Sequence, residues 1–200
     1  VRRRGLLSAV ALALPLSNAR AGAQREEDLS DAVRSALSAA VAAAEPPRPE
    51  FPTTAQRMTY LRWLTAMSER LQPRKTELRT RMEFLETLWY ESRRAGLEPD
   101  LVLGVVQVES NFRKYAVSAA GARGYMQVMP FWARLIGDGD ASRLFHMQTN
   151  LRFGCVILRH YLEREGGNLF MALGRYNGSR GRPEYPSKVL SARRQWIMSD

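Results

Sequence analysis

Glu109 closes an apolar run in VVQVES, and Ser118, Gly121, Gly124 and Gln127 follow it closely along the chain. A carboxyl group among apolar neighbours has its charged form disfavoured, and so does one at the negative end of a helix dipole. Such a group keeps its proton toward neutral pH, as a general acid must. The serine and the glycines suit a tight turn that brings backbone close to a ligand. Gln127 adds an amide that can both donate to and accept from hydroxyl and acetamido groups. These residue types allow proton transfer beside a neutral, hydrogen-bonding ligand.

The pattern around Glu109 supports two arrangements. Val102, Val105 and Glu109 share one helical stripe, with Leu101 and Val108 beside it, which points the carboxyl inward. The other arrangement turns Glu109 to solvent, paired with Arg113 or Lys114. Glu91, in WYES, lies two residues past Trp89, about 200° round a helix, and reads as a solvated glutamate.

Other chemistries find little support. The chain has neither GxxxxGK[ST] nor GxGxxG, so a phosphate-cradling loop is not expected. No second acid stands between Glu109 and Gln127; Asp138 and Asp140, in GDGD, read as turn formers and lack the spacing of a calcium loop. His146 and His160 show no metal spacing and read as structural. Neither a metal nor a cofactor is expected. Cys155 is the one cysteine, so no internal disulfide forms, and its place in RFGCVILRHYL gives it a buried, apolar role. Trp63, Trp89, Trp132 and Trp196 could stack on sugar rings, but their helical positions read as core.

Helices must position these groups. Leu29, Val33, Leu37 and Val41 fit a helix over 26–44, followed by the stiff, proline-rich PPRPEFP of residues 46–52. Thr53 and Gln56 form a capping box opening a helix that runs to about Leu71. Leu78, Met82, Leu85 and Trp89 line a face of the next, which Gly96 closes. Pro99 begins the helix carrying Glu109. FWARLIG reads as a short helix, and others follow at about 147–165, 168–176 and 185–198. Little reads as strand, so the expected fold class is all-α.

The chain has 200 residues, 45% of them apolar, enough for one modest domain with a core. Its first residues, VRRRGLLSAVALALPLSNARAGA, read as a secretory signal peptide over 1–23, too short in its apolar run to span a membrane permanently. Gln24 stands where a lipoprotein would carry cysteine, so no stable membrane anchor is expected. The formal charge is +10; without Arg2, Arg3, Arg4 and Arg20 there remain 26 basic and 20 acidic residues, a net +6. A basic exported protein suits the acidic polymers of a bacterial envelope, so no nucleic-acid partner is expected and the periplasm is the expected place. The expected division is 1–23 signal peptide, 24–52 helix and proline-rich linker, and 53–200 catalytic domain. The proline break suggests that the part from 53 onward folds and acts alone.

Three segments in order carry a resemblance: ESNF at 109–112, AVSAAGARGYMQVMP at 116–130 and RYNGSRG at 175–181. They resemble the signature segments of the soluble lytic transglycosylase (SLT-type) family. TNLRFGCVILRHYL resembles that family's asparagine-led helix, and GLEPDLVLGVVQ its approach to the glutamate. The resemblance covers roughly residues 76–190 and implies a lysozyme-like, goose-type transglycosylase domain. It implies cleavage of the β-1,4 bond between N-acetylmuramic acid and N-acetylglucosamine in peptidoglycan glycan strands, leaving 1,6-anhydromuramoyl ends. By that likeness Glu109 acts first as acid, then as base. Ser118 would sit near the scissile sugar, Met126 and Gln127 would line the cleft, and Tyr176 and Asn177 would hold glutamate and sugar from the opposite wall. Envelope proteins are further expected partners.

The chain departs from the family's usual residues at Tyr125, Arg175 and Ala119, of which the first two bear on substrate subsites. The alternatives from the sequence are a hydrolytic muramidase on the same fold, a non-catalytic peptidoglycan-binding domain, and a basic helical protein that binds anionic polymers or membrane.

Overall fold

The computed structural model describes residues 24–42 and 49–198; the expected signal segment 1–23 lies outside the described residues. Eight α-helices follow in order among them: α1 Asp31–Ala42, α2 Thr54–Leu71, α3 Leu78–Arg94, α4 Pro99–Ser110, α5 Pro130–Ile136, α6 Met147–Arg164, α7 Leu169–Tyr176 and α8 Glu184–Arg194. A 3-10 turn, Ala141–Phe145, joins α5 to α6. The only extended pairing among the described residues is two isolated bridges, Val117 to Arg123 and Arg123 to Val128. The all-α expectation is met.

Local chemistry sets the helix ends. The Thr53 hydroxyl accepts from Gln56 N at 3.2 Å and opens α2. Glu77 caps α3 through Arg79 N and Thr80 N, and Pro99 occupies the first turn of α4, where a missing N–H costs nothing. The Asn168 side chain accepts from Met171 N to begin α7. Asn111, in the left-handed region with φ 48°, stops α4 directly after the ES pair.

The core gathers around α6, whose residues are buried without a break from Asn150 to Leu158. A helix covered on most sides needs apolar residues all round, and here α1, α3 and α7 supply the cover. Cys155 is buried there, as expected. The α4–α8 pair packs most closely. A Cβ on Gly104 would lie 2.9 Å from Arg193 N and 3.0 Å from Val189 O, so only glycine lets these backbones approach. The aligned stripes Val102–Val105 on α4 and Tyr185–Val189–Ala192 on α8 meet across that contact and are all buried.

One helix face differs from its expected position. On α3 the buried residues are Arg81, Phe84, Leu85, Leu88, Glu91 and Ser92, while Leu78 is exposed and Trp89 half-buried. The true stripe is rotated from the one centred on Trp89. This corrects the reading of Glu91 as solvated: it is only 1% exposed and accepts from Arg152 Nε at 3.1 Å and Nη2 at 2.9 Å. Arg94 joins the pair at 3.6 Å. The residue falls three positions after Leu88, within the buried face, and a cation on α6 compensates its charge.

Residues 24–42 pack on the same body as the rest. Leu29, Leu37 and Val41 join the one hydrophobic cluster, and α1 lies against α5 and α6. Phe51, at the end of the proline-rich stretch, packs on Tyr60 with ring centroids 4.9 Å apart and on Trp89 at 5.8 Å. Trp132 and Trp196 are buried, whereas Trp63 and Trp89 keep part of their surface.

Candidate active site

Glu109 occupies the last turn of α4 with its side chain turned into the α4–α8 contact, and it is 5% exposed. The inward arrangement holds; neither Arg113 nor Lys114 pairs with it. Its Oε1 accepts a hydrogen bond from the Tyr185 hydroxyl at 2.6 Å, while Oε2 is buried with no hydrogen-bond partner among the described residues. Burial pushes the carboxyl up to about 8, and the Tyr185 hydrogen bond works the other way. Glu109 is therefore a carboxylic acid holding its proton at neutral pH.

Tyr176 forms a neighbouring wall. Its hydroxyl is completely buried and donates to the Met126 carbonyl at 2.8 Å. Burial, followed by the nearby Glu109, holds its pKa well above the phenol range, with Gln24 acting in the opposite sense. Tyr185 is raised in the same manner, by burial and then by Glu109. Glu109 is thus bonded to one neutral phenol, Tyr185, and electrostatically felt by a second, Tyr176.

The loop between Ser118 and Met129 is built by side chains hydrogen-bonded to backbone. Ser118 Oγ accepts from Ala122 N at 3.1 Å and closes the turn containing Gly121. Gln127, itself in the left-handed region with φ 48°, donates from Nε2 to Ala116 O at 3.1 Å and Gly124 O at 3.0 Å. Asn150, at the start of α6, ties the loop down: Oδ1 accepts from Met126 N, and Nδ2 donates to Arg123 O and Leu144 O, each at 2.8 Å. Gly124 has φ 75°, and a Cβ there would lie 2.4 Å from Asn150 Nδ2, so this close approach excludes any larger residue.

A hydrogen bond joins Tyr176 to the loop through Met126, next to Gln127, and Glu109 lies near enough to Tyr176 to raise its pKa. The Met126 side chain is fully buried and packs on Gly154, where an added Cβ would meet its sulfur at 2.3 Å. Met126 thus reaches Tyr176 through its backbone. Ser118 and Asn177 spend their side-chain hydrogen bonds within their own turns, Asn177 Nδ2 donating to Ser179 Oγ at 3.0 Å. Asn177 Oδ1 is buried and unpartnered. Tyr125 is buried, and its hydroxyl accepts from Lys75 Nζ at 2.9 Å.

Two contributors escaped the sequence reading. Tyr185 begins the stripe Tyr185–Val189–Ala192–Trp196, and a phenol leading an apolar stripe is the signal that could have found it. Asn150 was visible only as the start of a familiar helix. The two aspartates of GDGD are engaged as turn formers: Asp138 pairs with Arg143, and Asp140 Oδ1 accepts from Ser142 N at 2.9 Å.

The Transglycosylase SLT domain family matches residues 87–195, which include the helix bearing Glu109, the loop, α6, α7 and α8. A transglycosylase of Enterobacteria phage PRD1 is 34% identical over 110 residues, covering 55% of this chain and 40% of that protein. The membrane-bound lytic murein transglycosylase C of Actinobacillus pleuropneumoniae serotype 5b is 39% identical over 90 residues, covering 41% of this chain and 24% of the relative. The chain therefore spans less than half the length of these relatives. Among solved structures, an inactive mutant of the lytic transglycosylase Slt from Pseudomonas aeruginosa is 25% identical with a TM-score of 0.45, over 72% of this chain and 24% of that one. More than half of the sequence, including the buried glutamate and the loop anchored by Asn150, is matched by one family, and the chain belongs to the Transglycosylase SLT domain family.

Proposed function

We propose that this chain is a peptidoglycan lytic transglycosylase that cleaves the bond between N-acetylmuramic acid and N-acetylglucosamine without adding water. The observation that carries the reading is Glu109: a neutral, buried carboxyl with one oxygen held by Tyr185 and the other unpartnered. Glu109 gives its proton to the glycosidic oxygen as the C1–O bond breaks. The muramoyl C6 hydroxyl attacks C1, and the Glu109 carboxylate takes the hydroxyl proton as the 1,6-anhydro ring closes. The carboxyl ends the cycle as it began, and no water enters the product.

A two-carboxylate hydrolase needs a second acid across the bond. Burial and Tyr185 account for the Glu109 pKa, with no second carboxylate among the causes, and Asp138 and Asp140 are committed to their turn. This favours an internal nucleophile. Gln127 and Tyr176 hold the loop and wall that flank the acid, Met126 supplies the carbonyl that Tyr176 binds, and Ser118 and Asn177 present the turns that meet the sugar. The named relatives are transglycosylases, two of the reported ones lytic and one of those membrane-bound, which is consistent with a place in the cell envelope. No helix among the described residues is long and apolar enough to cross a membrane. We read the protein as exported to the periplasm, acting on glycan strands with neither metal nor cofactor.

Mass spectrometry of products from purified peptidoglycan tests this. Muropeptides ending in 1,6-anhydromuramic acid are expected; reducing ends alone would make the protein a muramidase, and no products would leave a binding domain.

A further inference from the structure

Arg175, one of the departures from the family's usual residues, stands directly before Tyr176 and has a partner far away in sequence. Its Nη1 donates to Glu27 Oε1 at 2.7 Å, and its Nε donates to Glu165 Oε1 at 2.7 Å. Glu165 also accepts from Arg180 Nε at 2.7 Å and Nη2 at 2.9 Å, and the second oxygen of Glu27 pairs with Arg164. An alternating row, Arg164–Glu27–Arg175–Glu165–Arg180, thus grips both sides of the YNGS turn. Arg175 is 17% exposed and Glu165 7%, so water screens the centre of the row less than it screens an open surface pair.

Glu27 belongs to a stretch that touches the opposite side as well. Gln24 Oε1 accepts from Met129 N at 3.3 Å, just beyond the Gln127 loop, and Leu29 enters the core cluster. Residues 24–30 therefore reach the loop carrying Gln127 and the wall carrying Tyr176. They lie outside the residues 87–195 that the family matches. The wall needs such support because α7 has only 8 residues, too few to hold a helix without outside contacts. The following turn folds back on it, with Ser179 N donating to Gly174 O at 2.7 Å. Any rotation of the last turn of α7 moves Arg175 and Tyr176 together.

We propose that residues 24–30 form a strap completing the active site, with Glu27 as a positioning residue that fixes the Tyr176–Asn177 wall through Arg175. The functional half rests on the transglycosylase reading above. The strap makes the family's matched region insufficient by itself: this chain completes its site with a segment from before the proline-rich stretch.

The test is a double-mutant cycle on the full chain, Glu27→Ala, Arg175→Met and both together, read by peptidoglycan turnover, thermal unfolding and hydrogen exchange. Glu27→Ala is expected to lower kcat on the order of ten- to a hundred-fold through misplacement of the wall. Its exchange over 174–182 should quicken while the unfolding temperature stays within a few degrees. In the Arg175→Met background the same change should add almost nothing, since it acts through that residue. Unchanged exchange over 174–182 in Glu27→Ala overturns the strap, and so does an equal further loss in the Arg175→Met background. Faster exchange with unaltered kcat overturns the positioning role. If the wild-type chain releases no products, the transglycosylase reading fails, and the exchange result still decides whether the strap holds the wall.

Discussion

The Tyr185 hydroxyl donates to Glu109 Oε1 at 2.6 Å across the α4–α8 contact, joining the first turn of one helix to the last turn of the other. That bond favours the carboxylate, yet burial outweighs it and leaves the acid protonated at pH 7. The proton is thus held by burial more than by any partner, and the bond engages Oε1 while Oε2 is left without one.

Replacing Glu109 by Gln should reduce turnover by about 10²–10⁴-fold, the usual worth of a general acid. Stability should move the other way. The folded pKa is about 8, raised above an ordinary 4.5, so the native state holds a proton between those values that the unfolded chain has released. This contribution is fully present below the unfolded pKa and fades as pH rises through the folded one, by about 1.4 kcal/mol per pH unit of the window. Glutamine has no proton to lose. Thermal unfolding at pH 4.5 and pH 8 should show wild type losing more than Glu109→Gln, and a parallel loss in both would contradict the buried-acid account.

Tyr185→Phe removes the one hydrogen bond that lowers the Glu109 pKa. The pKa should climb further, moving the basic limb of the kcat/KM profile to higher pH while kcat falls. The buried Oε1 also loses its donor, costing about 1–3 kcal/mol of stability. A basic limb that stays in place would show that another group sets it.

Asn150→Ala leaves Met126 N and Leu144 O without their partner in a buried setting, while Arg123 O keeps its bond from Val128 N. Each orphaned group costs about 1–3 kcal/mol, and the loop bearing Gln127 loses its anchor. Stability and kcat should fall together, measured by denaturant unfolding and initial rates. A variant that keeps wild-type kcat would show the loop to be held by other contacts.

Glu91→Ala strands Arg152 in the core, and breaking a buried pair in this manner typically costs about 3–5 kcal/mol. Because Glu91 pairs with Arg152 and Arg94, away from Glu109, the folded fraction should retain its kcat per active molecule. Active-site titration alongside calorimetry separates the two effects, and a loss of kcat in fully folded protein would bring Glu91 into the site.

Much of the helical framework is legible one segment at a time. Local signals placed Pro99 at the start of α4, Thr53 as a cap and Cys155 in the core, because caps and periodicity act within a few residues of one another. They left Glu109 open between an inward and a solvent-facing arrangement, which packing against Tyr185 of α8 decided. Glu91 shows where that reach ends. Choosing the α3 stripe required knowing that α6 would bring Arg152 against it, 61 residues away. The same limit hid Tyr185, 76 residues from the carboxyl it binds, and Glu27, 148 residues from Arg175. A buried charge or polar group is stable only beside a compensating partner, and when the partner comes from another helix, packing alone decides which residue that is.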